Sequence, residues 1–419
     1  MIKCKEMKKV LISHTVGNAN TRSAVYGLFN KGILHSFHVC VAVFKSSWYY
    51  KYLETGYLKL FKKRTFGDSI RKSTYCYPFR ELGRQFSQLL KLSVFVKGEG
   101  KCFSSYTICQ RLDQNVSKFL QKKHNEISAV YCYEDIALKT FKIAKKYNIK
   151  CLYDLPIGYW RYMKQLLELE KGKNPDWAIT LGGLDDSEYK HKNKDKELEL
   201  ADYIFVASSF TKKSLELYPG KLPKISVIPY GFPPINEKRV YTPFKGRRIK
   251  VLYVGGLSQR KGISYLFDAI KGLEDKIELS VIGAGNMERC SSLKHALSSC
   301  KYLGTMSHDL VLKQMSDNDV LIFPSLFEGF GLVITESMSQ GTPVITTDRT
   351  CGPDIMTNGK DGWIVEAGTS EPIRALLKSF IDSPEILQKV GKEAMITASH
   401  RPWTKYEEEL AGEVSHLLE

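Results

Sequence analysis

The residues best suited to chemistry lie in FPSLFEGFGLVITESMSQGTPVITT, positions 323–347. An apolar run ending at Phe323 leads into a loop, and the loop opens a helix near Leu332. Gly329 and Gly331 allow the backbone to come close to a ligand. Free N–H groups at the helix start, helped by the helix dipole, favour an anion such as a diphosphate. Glu328 precedes this helix and Glu336 lies about one turn inside it. The two carboxylates are therefore placed to touch different parts of one extended ligand. Carboxylates accept hydrogen bonds from vicinal hydroxyls, which suits a sugar ring and a ribose. The alternative, acidic residues that merely favour a helix start, fits Glu336 alone better than it fits the whole constellation.

A second stretch, VLYVGGLSQRKGISYLFDAI at 251–270, brings a strand to Gly255-Gly256 and opens the next helix with Arg260-Lys261-Gly262. Two cations at a helix start oppose the dipole. Their placement makes sense if a diphosphate sits between them, and the plain alternative is two surface charges after a tight turn. VIGAGN at 281–286 repeats the pattern of a strand followed by a glycine turn, at Gly283 and Gly285. Alone it is a weak signal, since many βα turns look similar.

The 323–347 stretch resembles the donor-site signature of glycosyltransferase family 4, a large group of retaining enzymes with the GT-B fold. In that family two glutamates with seven residues between them flank a glycine–aromatic–glycine turn, as Glu328 and Glu336 do here. The resemblance implies that Glu328 meets the transferred sugar and Glu336 the ribose, with backbone N–H groups of Phe330, Gly331 and Leu332 on sugar and phosphates. The 251–270 stretch is similar to the family's phosphate clamp, with Lys261 at the lysine position. The arginine usual after the first glycine is Gly256 here, and Arg260 is the candidate substitute. By the same resemblance Gly255, Gly283 and Gly285 approach the nucleotide, and Thr305 and Met306 in LGTMSHDL (303–310) touch the base. Gly17 and Asn18, in SHTVGNANTRSAV (13–25), form the loop that closes on the diphosphate from the opposite domain. Many relatives carry a first-domain histidine facing the donor sugar. The comparable loop, Asp154–Arg161, has Tyr159 and no histidine, which leaves His14 as a stand-in or a structural residue.

The elements needed to hold these residues follow from the rest of the chain. Short Val/Ile-rich runs alternate with amphipathic spans, which predicts parallel, doubly wound α/β sheets. Expected strands include Lys9–Ser13, Val39–Phe44, Ala129–Tyr133, Lys250–Val254, Glu278–Ile282 and Val320–Phe323. A length of 419 residues fits two domains. Four prolines between Pro229 and Arg248 mark the boundary. Residues 1–235 form the expected acceptor-side domain and 245–395 the donor domain. Residues 401–419 form a final helix returning to the first domain. Two Rossmann-like domains facing a central cleft are the GT-B architecture that the resemblance implies. A ligand then lies at the carboxyl ends of the strands. The Asp317-Asn318-Asp319 string precedes a strand at its amino end, away from such a ligand, and reads as structural.

The formal charge is +17, and between Lys45 and Lys101 thirteen Lys/Arg stand against four Asp/Glu, interleaved with aromatics. That pattern suits the headgroup region of an anionic membrane or a lipid-linked acceptor, and equally a solvated basic face. Nucleic acid is not expected. The ten cysteines form no CxxC pair and read as reduced core residues of a cytoplasmic protein, one that works at the inner membrane face if the basic segment binds lipid. The expected reaction moves a sugar from a nucleoside diphosphate, UDP first and GDP second, to a glycan or lipid-linked hydroxyl. No metal or cofactor is required beyond the sugar-nucleotide. The rivals are an enzyme of similar fold but different reaction, such as a sugar-nucleotide epimerase or a phosphorylase, a sugar-nucleotide-binding protein of the same fold with impaired turnover, and a basic nucleic-acid binder.

Overall fold

The structure is a computed structural model that describes residues 8–54 and 59–419. Cys4 and positions 55–58 of the basic segment lie outside the described residues. The first half contains strands β1 (Val10–His14), β2 (Leu34–Val39), β3 (Val43–Phe44), β4 (Thr65–Phe66), β5 (Thr74–Cys76), β6 (Ala129–Tyr133), β7 (Lys150–Leu155), β8 (Tyr203–Val206) and β9 (Ile225–Val227). Seven of them make a parallel sheet in the order β5-β2-β1-β6-β7-β8-β9, while β3 and β4 pair separately. The second half adds β10 (Ile249–Val254), β11 (Ile277–Ile282), β12 (Lys301–Gly304), β13 (Val320–Phe323), β14 (Val344–Thr347) and β15 (Trp363–Val365). These form a second parallel sheet, β12-β11-β10-β13-β14-β15. Central strands such as β10 and β13 are almost wholly buried, as expected for sheets covered by helices on both faces.

One strand differs from expectation. The apolar run Val39–Phe44 is not a strand of the main sheet, which ends at Val39. The true strand, LHSFHV, buries Phe37 on one face and Ser36 and His38 on the other. His38 stacks on Tyr75, with ring centroids 5.0 Å apart, so polar-looking residues occupy core positions. The apolar tail past Val39 leaves the sheet and contributes only Val43–Phe44 to the small pair with Thr65–Phe66.

The chain crosses between the sheets after Val227 and again near Arg401, and the crossings run side by side. Phe232 N–H donates to the Arg401 carbonyl at 2.8 Å. A Cβ on Gly231 would lie 2.5 Å from the Trp403 nitrogen, so the two segments touch through backbone. The last helix, Trp403–Leu418, packs against the helix Ala19–Asn30, where Gly27 admits the Glu407 carbonyl. Asp319 accepts from the Arg247 guanidinium at 2.6 and 2.9 Å and from the Lys250 N–H at 2.8 Å, which ties the start of β10 to that of β13. Every described cysteine is free, but Cys76 and Cys102 are exposed rather than core.

Candidate functional site

Strands β10 and β13 are hydrogen-bonded neighbours, so the turns leaving their carboxyl ends emerge together. Leu326 N–H donates to the Arg260 carbonyl at 2.9 Å. Gly262, at φ +70°, starts the helix Ile263–Ile270, and a Cβ there would fall 1.9 Å from the Pro324 carbonyl oxygen. Only glycine fits that approach. The result is a direct ion pair between Lys261 Nζ and Glu328 Oε2, with both side chains about 15% exposed. Burial, with the Arg260 guanidinium beside it, pulls the Lys261 ammonium down to about 7. The Glu328 carboxylate opposes that pull. Arg260 turns inward instead, and its Nη1 donates to the Phe327 carbonyl at 2.7 Å. The two cations expected to share a diphosphate are thus divided. Arg260 tethers the glutamate-bearing turn, and Lys261 faces Glu328.

The second helix start is Gly331, at φ +94°, preceding Leu332–Ser339 without a side-chain cap. Its first N–H groups lack a capping side chain, which is the arrangement that attracts an anion. Glu336 is half-buried one turn along, and its Oε1 lies 3.0 Å from His308 Nε2. Burial raises the Glu336 carboxyl, and the hydrogen bond and charge of His308 offset part of that rise. Phe330 is buried with its ring 4.7 Å from Tyr230, so it offers backbone rather than side chain. Thr305 is exposed and Met306 half-buried on the loop between β12 and the helix His308–Asp317.

The other glycines have packing duties. A Cβ on Gly283 would fall 1.8 Å from the Gly255 carbonyl oxygen, and one on Gly285 would fall 2.6 Å from Leu257 Cβ. Gly255 N–H donates to Ile282 and Leu257 N–H to Ala284, which zips the two turns together. Gly256, by contrast, is exposed with open space where its Cβ would be.

The first-domain loops close on this turn. Gly329 touches Pro156, where a Cβ would lie 1.9 Å from the carbonyl oxygen. The Gly329 carbonyl accepts from Ser208 Oγ at 2.6 Å and Thr211 Oγ1 at 3.0 Å. Phe327 buries itself among Met163, Leu167 and Phe210. Gly17, at φ +63°, packs on Phe66, and Asn18 caps the helix Ala19–Asn30 by accepting from Thr21. Gly17 and Asn18, with Arg22, Lys63, Arg64 and His308, line a cavity of about 800 Å³. His14 Nδ1 accepts the N–H groups of Val16 and Gly17, each at 3.0 Å. Burial and then Arg64 lower its pKa to about 3. A neutral His14 therefore shapes the glycine loop. Tyr159 is fully buried and donates its hydroxyl to Asp195 at 2.6 Å, so it does not face the cleft.

Lys261, Glu328, Gly331, Leu332 and Glu336 thus lie along adjoining turns, with Gly17 and Asn18 on the opposite domain. His308 was not among the residues singled out from the sequence. It lies 28 positions before Glu336, and no local spacing joins them. Among the described residues no group of three or more His, Cys, Asp or Glu is arranged to hold a metal ion.

Residues 234–396 match the family Glycosyl transferases group 1. An uncharacterized glycosyltransferase of Methanocaldococcus jannaschii is 27% identical over 208 residues, 49% of this chain and 57% of that protein. The capsular polysaccharide biosynthesis glycosyltransferase CapM of Staphylococcus aureus is 28% identical over 211 residues, 45% of this chain and 54% of that protein. The chain therefore spans little more than half the length of these relatives. Anabaena HepE, solved in complex with UDP and glucose, superposes with a TM-score of 0.61 at 14% identity, covering 97% of this chain and 99% of that one. The fold is GT-B, and residues 234–396, which hold the second-half sheet with its turns, are similar to group 1 glycosyl transferases.

Proposed function

We propose that the protein is a retaining glycosyltransferase. It moves a sugar from a nucleoside diphosphate, a UDP-sugar before a GDP-sugar, to a hydroxyl of a glycan or lipid-linked acceptor. The observation that carries this reading is the Lys261–Glu328 pair beside the uncapped helix start at Gly331, with Glu336 one turn further on. A diphosphate fits between the Lys261 ammonium and the Leu332 end of the helix. Glu336 and His308 then meet the ribose, and Thr305 and Met306 the base.

The main barrier is departure of the diphosphate, on which negative charge builds. Lys261 and the helix N–H groups stabilise that charge without reorganising, and one such contact is typically worth about 3 kcal/mol. Glu328, paired with Lys261, accepts from sugar hydroxyls when the donor is bound. Arg260 acts through the Phe327 carbonyl as a positioning residue. The acceptor attacks the face the diphosphate leaves, assisted by that phosphate, and no protein nucleophile is needed. Neutral His14 and inward-facing Tyr159 are consistent with a first domain that shapes the site and contributes no acid or base there. The experiment is release of nucleoside diphosphate from a panel of sugar-nucleotides, measured with and without acceptor glycans. Release confined to Glu328-intact protein supports the reading, and no release with any sugar-nucleotide opposes it.

The basic, aromatic segment at 45–101 supports contact with an anionic membrane, at the inner face if the protein is cytoplasmic, where a lipid-linked acceptor would reside. No helix among the described residues is long and apolar enough to cross a membrane.

A further inference from the structure

The helix Phe79–Leu89 is inside out. Its buried positions are Glu81 and Ser87, while Phe79 is 76% exposed and Phe86 62%. Leu82, Leu89 and Leu90 are exposed on the same stretch, and Leu92, Val94 and Phe95 follow them into solvent. The inward face is held by charge rather than by apolar packing. Glu81 accepts from Arg64 at 2.9 Å, from Arg84 at 2.9 and 2.8 Å and from Gln85 at 3.0 Å. Burial alone would raise the Glu81 carboxyl, but those hydrogen bonds and charges win and hold it below the ordinary carboxylate value. A helix in water normally turns this pattern the other way.

We infer that this helix and the following turn to Phe95 dock the protein on an anionic lipid surface, with the apolar edge in the boundary between headgroups and acyl chains. This deepens the reading of a lipid-linked acceptor and rests on it. A helix with one strongly apolar face and basic flanks lies in the plane of the interface. At 11 residues the helix is about 16 Å long, too short to span. Lys91, Lys97 and Lys101 are exposed around it, in a segment with a large excess of Lys/Arg. That charge repels a second copy of the same surface and attracts anionic headgroups, which selects lipid over self-association as the occupant.

The opposite face of the helix supplies a functional reason. Gln85 and Arg64 line the cavity that also holds Gly17, Asn18, Arg22, Lys63 and His308. Arg64 Nη1 donates to the Val16 carbonyl at 2.8 Å, in the glycine loop itself. One helix thus has lipid on its outer side and the interdomain cavity on its inner side. An acceptor anchored in the bilayer reaches the cavity without leaving the surface, and its anionic linkage meets the cavity's cations.

The test is co-sedimentation of the full chain with vesicles of mixed phosphatidylglycerol and phosphatidylcholine, against phosphatidylcholine alone. The wild type is expected to partition to the anionic vesicles, weakening as salt rises. Phe86→Ser combined with Val94→Ser removes two exposed side chains and is expected to cut partitioning at least ~10-fold. Thermal shift by UDP on the same preparations reports the donor site separately. Loss of vesicle binding with the UDP shift intact in the double variant supports the inference. Unchanged binding in the double variant, or none in the wild type, overturns it while leaving the donor site standing. A wild-type dimer that the double variant converts to monomer, with no vesicle binding, makes the edge a self-interface and also overturns it. Absence of any shift with UDP or with other nucleoside diphosphates counts against the transferase reading itself.

Discussion

The Lys261 ammonium lies against the Glu328 carboxylate, across the gap between two helix-opening glycine turns. The contact joins the end of β10 to the end of β13. It exists because Gly262 lets its turn approach the Pro324 carbonyl and because Arg260 grips the Phe327 carbonyl. A buried ion pair of this kind is a weak source of stability. On the proposed function, a bound diphosphate would compete for the ammonium and free the carboxylate for sugar hydroxyls.

Donor binding should therefore take up a proton. Burial and the neighbouring Arg260 guanidinium pull the Lys261 ammonium down to about 7, with the Glu328 carboxylate opposing them, so part of it gives up its proton in mildly alkaline solution. A bound diphosphate favours the ammonium and raises the pKa again. At about pH 8, titration calorimetry of UDP in buffers of different ionisation enthalpy should show uptake approaching one proton, fading below about pH 6 where the lysine is already charged. Lys261→Met should abolish the uptake. Equal uptake in wild type and variant would assign the proton elsewhere.

Glu336 and His308 should act on the nucleoside rather than the phosphates. Glu336→Gln leaves a hydrogen-bonding group of the same shape but removes the charge. It should weaken UDP binding by about 1–2 kcal/mol, roughly ten-fold. His308→Ala should weaken it less, because the ring is exposed and holds Glu336 from one side. Pyrophosphate competes for the phosphate positions alone, and its affinity should not change in either variant. A parallel loss for pyrophosphate would show that the pair supports the whole turn instead.

Gly256→Arg is expected to gain function. The position is exposed and a side chain there meets open space, so the substitution costs the fold little. It places a guanidinium at the mouth of the zipped glycine turns, where the family that this stretch resembles has arginine. UDP affinity should rise several-fold, with a salt-dependent increment. Unaltered affinity would mean that the diphosphate lies out of reach of this turn.

Gly329→Ala should disturb the contact between the sheets. Its Cβ would sit 1.9 Å from the Pro156 carbonyl oxygen, and Ser208 and Thr211 already hold the Gly329 carbonyl in place. The forced shift should lower stability by about 1–3 kcal/mol or more. It should show as a lower Tm and as reduced UDP affinity. A variant with wild-type Tm and affinity would show that the two loops separate easily in solution.

How far the sequence foretold these features depended on how local each signal was. Val320–Phe323 and Ala129–Tyr133 were legible to the residue because their apolar runs are uninterrupted. The strand Leu34–Val39 was missed because His35, Ser36 and His38 hide its alternation, and His38 finds its partners in Tyr77 and Tyr75, far along the chain. The juxtaposition of 255–262 with 328–336 followed from two βα turns of one sheet. The direction of Arg260 did not, because a guanidinium at a helix start reaches a carbonyl or an anion equally well. His308 was invisible for the same reason, since its meeting with Glu336 depends on how β12 and β13 are ordered in the sheet. The helix Phe79–Leu89 was not among the expected elements, and which of its faces turns inward is decided by the pairing of Glu81 with Arg64, 17 residues upstream.

Central to the account is that the Lys261–Glu328 pair is where a sugar leaves its nucleotide. The direct measurement is the rate of nucleoside diphosphate release from the best sugar-nucleotide, in wild type and in Glu328→Ala, with Tm followed alongside. Measurable release by the wild type is expected, with a loss of roughly 10²–10³-fold in the variant while its thermal transition shows it still folded. Release by Glu328→Ala at the wild-type rate would contradict it.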